Sequence, residues 1–375
     1  MTFPYLARLA GLVLALCLPM VLAGCSSLGP GTPPDTAGVA SAQFGSGPIK
    51  VGLVDLSTPA DLASGAPDMV LLAAQLAADT VAKAPITLLI RRYDGSADAL
   101  AKVEQDLTAQ GVKLVIGPDD EPASLSLARV FGAKGIPVIS LANASDPKAN
   151  LYAFGMSGEI EASLMADEMR RRGYRSVALV SDPSGPDAVF ASRLATAMAA
   201  VKIQLASVDG RDPAAAAKSI AQLTMQGAYP SAIVFTQRAT AAEAVMKLVR
   251  KTGPMASVAA VGTSEWAFEP DAASSSGPGW YMAPEDNGIG GLATQFAKSF
   301  KSPPTPDAAL AYDLILLAAG LPQALPGQAP YAAGVLLNDQ GFKGVTGKFW
   351  FTPDGQVHRN LVPIDVVPSL AQPAI

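Results

Sequence analysis

ITLLIRRYDGSADALAKVEQDLTAQGVKLVIGP, residues 86–118, reads as strand, helix, strand. The apolar runs in 85–94 and 112–118 have the length and the β-branched content of buried strands. Between them, residues 96–111 form an Ala/Leu-rich helical run closed by Gly111. Two such strands separated by a single helix are parallel neighbours joined by a right-handed crossover. The same unit repeats on both sides. IKVGLVDL (49–56) is a strand ending in a Ser/Thr/Pro loop, and DMVLLAAQLAADTVAK (68–83) is a helix. Beyond residue 118 the alternation continues through ASLSLARVFGAKG, IPVISLA, EASLMADEMRRRG and SVALVSD. A second set runs through DAVFASRLATAMAA, IQLASVDG, AAAAKSIAQLTMQG, AIVFTQ, ATAAEAVMKLVRKTG and SVAAVGT. The expected class is α/β, with two doubly wound parallel sheets. In such sheets the loops at the carboxyl ends of the strands line the ligand crevice.

Length and composition agree with two lobes. A body of about 325 residues exceeds what one core usually holds. The 27 Lys and Arg stand against 32 Asp and Glu, a formal charge of −5, which argues against a nucleic-acid partner. The chain begins with Arg8 as its only charged side chain before an apolar run that leads to Leu22-Ala23-Gly24-Cys25. That run is short for a permanent membrane helix and has the layout of a secretory signal. Its last four residues resemble a bacterial lipobox, in which the peptidase cuts before a cysteine carrying diacylglycerol. Residues 1–24 are therefore expected as a lipoprotein signal peptide, with Cys25 the lipidation site. Residues 25–48, rich in Ser, Gly, Pro and Ala, are expected as a flexible tether. Cys17 leaves with the signal, so the mature chain has no internal disulfide.

Several stretches, in this order, resemble the type I periplasmic binding proteins of the leucine/isoleucine/valine-binding group: IKVGLVDLS, the 86–118 unit, GIPVISLANASDP, AYDLILLAAGL and GFKGVTGKFWFTPDGQVHRNLVPIDV. The likeness covers nearly all of residues 49–366. It implies two lobes joined by three crossovers, near residue 155, near MAPEDNG and near PDGQVHR. The N-terminal lobe would comprise 49–154 plus 285–357, and the C-terminal lobe 155–284 plus 358–375. It also implies a non-enzymatic protein that needs no cofactor and closes on a small polar ligand for an ABC permease.

Candidate ligand residues follow from the loops that match. Ser57 ends the first strand. The loop that is rich in Ser and Thr in amino-acid-binding members reads here as Asp119-Asp120-Glu121, which repels a carboxylate and favours a cationic or polyhydroxylated ligand; a solvated loop is the plainer reading. Asn143, Ala144 and Ser145 precede Asp146-Pro147, where Ala144 and Ser145 match the family's ligand-contacting Ala-Thr pair and Ser145 alternatively caps a helix. Pro186 and Asp187 stand where the family carries an aromatic. Gln237, Arg238, Glu265 and Trp266 close the following strands, with Glu265 about one position from the family's ammonium-binding carboxylate. Exposed loop positions are the alternative for each.

Metal and triad chemistry are disfavoured by a single histidine, His358, read as a surface residue in a turn before a strand. GIGG at 288–291 reads as a turn and the basic run at 170–175 as a solvated helix end. Two functions remain. One is a lipid-anchored solute-binding protein on the periplasmic side. The other is a regulatory lipoprotein, since the fold is also similar to the carboxy-terminal domain of penicillin-binding-protein activators, which contact a peptidoglycan synthase. Ser26 after the lipidated cysteine, in place of Asp, favours the outer membrane in a Gram-negative cell.

Overall fold

The computed structural model describes residues 41–144, 150–156, 158–185, 187–251 and 255–366. Residues 1–40, with the expected signal and Cys25, lie outside the described residues, as do Ser145 and Pro186. The first sheet contains β1 (Ser41–Gly45), β2 (Ile49–Leu56), β3 (Ile86–Tyr93), β4 (Leu114–Ile116), β5 (Val138–Ser140) and β6 (Leu151–Ala153). Its order is β1-β3-β2-β4-β5-β6, parallel throughout except for the antiparallel edge strand β1. The second contains β7 (Ser176–Ser181), β8 (Gln204–Asp209), β9 (Ala232–Phe235), β10 (Ala259–Gly262) and β11 (Gly279–Pro284). After the small antiparallel sheet of β12 (Phe342–Gly344), β13 (Gly347–Phe351) and β14 (Val357–Arg359), the chain returns as β15 (Leu361–Val366). The second sheet is then ordered β15-β11-β10-β9-β7-β8, with only β15 antiparallel.

Each sheet is covered on both faces, which is why its central strands are apolar without alternation. Val51, Leu53 and Ile116 face one core, and Val54, Val115 and Phe131 the other. The helix Pro306–Ala324 has Leu310, Leu314 and Ile315 buried in the first of these cores. It is apolar nearly all round and therefore buried. Each such side chain contributes about 1.5–3 kcal/mol.

One expectation needs correction. Ser41–Gly45 was assigned to the tether but forms β1, in register with Thr87–Arg91. Ala42 and Phe44 alternate onto the first lobe's core, and the strand covers the open edge of β3. Two smaller readings also change. GIGG opens the helix Ile289–Phe300. His358 lies within β14, edge-on to Trp350 at 5.7 Å. The basic run is tied down: Arg171 and Arg172 bond Glu168, and Arg172 reaches Asp365 at 2.6 Å. Among the described residues no helix is long and apolar enough to cross a membrane.

Three passages connect the lobes, after Phe154, after Pro284 and around Asn360, and they are bonded to one another. The Glu285 amide donates to the Asn360 carbonyl at 2.8 Å. Arg359, only 5% exposed, donates to the carbonyls of Gly155 (2.7 Å) and Phe154 (3.1 Å) and lies over the Phe154 ring.

Candidate functional site

A cavity of about 700 Å³ opens between the lobes at the carboxyl ends of both sets of strands. On the first lobe, β4 is followed by Gly117, whose φ of +81° and approach to the Val54 carbonyl leave no room for a Cβ, which would stand 2.2 Å from that oxygen. This turn delivers Asp119 and Asp120 to the cavity wall. The Asp120 carboxylate caps the helix Glu121–Gly132 by accepting the Ala123 amide proton at 2.9 Å. Ser124 and Ser140 hydroxyls, 2.7 Å apart, fasten this loop to the next, where Leu141, Ala142 and Asn143 add to the wall.

On the second lobe, Asp187 accepts a hydrogen bond from the Thr236 hydroxyl, joining the loops after β7 and β9. Arg238 lines the cavity but is paired with Glu269 at 2.5 Å. Glu265 sits on a 3₁₀ turn, Ser264–Phe268, fixed from two sides. Buried Glu161 accepts the Ser264 amide (2.5 Å) and hydroxyl (2.9 Å), while buried Trp266 donates from Nε1 to the Gln237 carbonyl at 2.9 Å.

Of the residues expected from the sequence, Asp119, Asp120, Glu121, Asn143, Asp187, Gln237, Arg238 and Glu265 share this one cavity. Ser57 does not line it; its hydroxyl faces Asp55 at 3.5 Å. Ala144 is turned into the first lobe's core, fully buried, and its carbonyl accepts from Arg193 and Gln356. Trp266 likewise belongs to the core, against Phe235. Sequence reading missed Asp307, which enters from the first turn of the helix capped by Thr305. The Thr-Pro-Asp pattern signals a helix start, and nothing in it signals a cleft.

The site is electrostatically strained toward negative charge. Burial, then Asp307 and Glu161, push the Glu265 carboxyl up to about 8, against the pull of Arg238. Asp307 is raised to about 6 by burial and then by Asp119. Asp119 has an open face to the cleft water, yet the surrounding walls, and next Asp120, raise it too. Behind them burial takes Asp55 to about 7, with Arg92 opposing and Asp119 adding to the rise. Carboxyls held this far from their ordinary range in a cleft mark it as a candidate binding site. Apolar walls complete it, from Leu141, Met156, Val189, Phe190 and Leu310. Among the described residues no group of three or more His, Cys, Asp or Glu is placed to hold a metal ion.

Two lobes of parallel sheet around a polar interlobe cavity define a binding-protein architecture. The sequence profile of the periplasmic binding protein family matches residues 48–368, and the chain belongs to that family. None of the curated proteins matches the chain. Among solved structures, the chain is similar to a branched chain amino acid ABC transporter periplasmic ligand-binding protein from Burkholderia xenovorans LB400, with TM-score 0.66, 16% identity, and 87% of this chain and 92% of that one covered. A branched-chain amino acid transporter substrate binding protein from Streptococcus pneumoniae, in complex with isoleucine, gives TM-score 0.60 at 19% identity, over 84% and 95% of the two chains. A solute binding protein from R. palustris in complex with benzoate gives 0.62 at 14%, over 85% and 93%. At these identities the likeness is one of fold.

Proposed function

We propose that this chain is the solute-binding component of an ABC importer, exported and held to a membrane by lipid on Cys25, that closes its lobes on a small polar solute. The observation carrying this reading is the interlobe cavity, to which loops from the carboxyl ends of both sheets bring polar side chains. Solute gripped by both lobes stabilises the closed form by its differential affinity, and the closed form docks on the permease. The bonded crossovers keep the lobes in register while they move. No step of this requires catalysis. A thermal-shift screen of amino acids, polyamines, sugars and muropeptides tests it: a true solute at a hundredfold its Kd adds about 2.7 kcal/mol. Absence of any shift across the screen overturns the reading.

One feature favours a second reading, a regulatory lipoprotein that activates a peptidoglycan synthase. Met225 and Tyr229 are 85% and 59% exposed. They sit just before β9, at the end of the second lobe opposite the cleft. Exposed large apolar side chains of this kind suit a protein contact. Co-purification of a synthase with the chain, lost on Met225→Ser together with Tyr229→Ser, is the expected result under that reading.

A further inference from the structure

We infer that the cleft selects an organic ammonium cation without a free carboxylate, an amine or polyamine, a specificity that rests on the solute-binding reading above. The two lobes present carboxyls to each other: Asp119 and Asp307 from the first, Asp187 and Glu265 from the second. Their coupling crosses the cleft, since Glu265 is within electrostatic range of Asp307 and Asp187. Among the described residues the one cation on the wall is Arg238, and it is already engaged by Glu269.

A second observation is independent of the charge count. Glu265 has no hydrogen-bond donor and no ion-pair partner among the described residues, although its neighbours are bonded: Ser264 to Glu161 and Trp266 to the Gln237 carbonyl. Glu265 is half-buried, and a carboxyl partly withdrawn from water with no partner carries part of the cost of desolvation. Here it is held rigidly at the cavity surface, which is the arrangement of a group completed by its ligand. Among the described residues a ligand carboxylate meets no free cation here, and it faces Asp119, Asp187, Glu265 and Asp307. An ammonium group relieves them, and a second one on the same molecule reaches the opposite lobe, so a diamine gains from closure at both ends. The apolar surface that Met156 and Phe190 add to the same cavity accommodates the intervening methylenes. A bare metal ion has no such use for these walls.

The test is isothermal titration of the full-length mature chain with putrescine, spermidine, leucine and benzoate at pH 8. The inference expects one of the two amines to bind and the other two probes not to. Glu265→Gln and Asp307→Asn, each shown by circular dichroism and melting to be folded, are expected to weaken the amine by about thirtyfold or more, the loss typical of truncating one partner of a buried charge pair. Leucine or benzoate binding in the absence of amine binding overturns the inference and leaves the solute-binding reading intact. Amine binding that both variants retain unchanged also overturns it, by removing the cleft carboxyls from recognition. Failure of all four probes overturns the amine specificity, and the solute-binding reading then stands or falls by the wider thermal-shift screen.

Discussion

Replacing Glu265 by Gln should stabilise the ligand-free protein, and do so more strongly as pH rises. In the folded chain Glu265 titrates at about 8, against an ordinary value of 4.5. Between those limits the unfolded chain has released a proton that the folded chain retains, so stability falls as pH increases and levels off above the folded value. The slope of one group is about 1.4 kcal/mol per pH unit. At pH 7 the accumulated loss on that basis approaches about 3 kcal/mol, and partial contact with cleft water reduces it to about 2 kcal/mol. Gln keeps the shape and the neutral form at every pH, so Glu265→Gln recovers that amount. Asp307, raised to about 6, and Asp55, raised to about 7, add parallel slopes in both proteins below their own values, which leaves pH 7–8 as the clean window. The assay is melting temperature against pH from 5 to 8.5 for both proteins without ligand. The two curves should meet near pH 5 and separate steadily to pH 8, with the variant higher. Parallel curves, or a variant that melts lower at pH 8, would refute the reasoning.

Other outcomes follow from the same geometry. Arg359→Ala leaves the Phe154 and Gly155 carbonyls without their donor and should cost about 2–4 kcal/mol in urea unfolding, with the slope unchanged; a loss under about 1 kcal/mol would show that the crossovers hold without this clamp. Gly117→Ala places a methyl 2.2 Å from the Val54 carbonyl at positive φ and should destabilise by about 2–4 kcal/mol, measured the same way. Cys25→Ser should leave an unlipidated precursor of higher mass that no longer partitions into detergent, and normal processing with normal partitioning would exclude Cys25 as the anchor.

Much of the fold was legible because parallel strands buried on both faces leave continuous apolar runs, and Gly111 marks where a helix stops. Ser41–Gly45 escaped because its single large apolar residue, Phe44, looks like tether composition; the strand exists only because β3 offers an open edge. The site was legible where it obeys the rule that loops following strands reach the cleft, as with Asp119, Arg238 and Glu265. Asp307 follows no strand and enters through the helix that returns to the first lobe after the second crossover, a placement set by tertiary packing. Ala144 shows the converse. It lies in the expected loop, but a small apolar side chain there is drawn into the core while its carbonyl serves Arg193 and Gln356. Loop position was readable, and side-chain direction was not.

The central claim is that the lobes close on a solute, and an interlobe distance measures it directly. Beyond residue 25 the sequence contains no cysteine, so Lys102→Cys on the first lobe and Lys218→Cys on the second, in a Cys25→Ser background expressed without the signal, accept spin labels selectively. Pulsed dipolar spectroscopy is then recorded with and without each solute that raises the melting temperature. The account predicts that saturating solute replaces the apo distance distribution by a narrower one with a different mean, and that Glu265→Gln raises the concentration needed. A distribution unchanged by every such solute would contradict it.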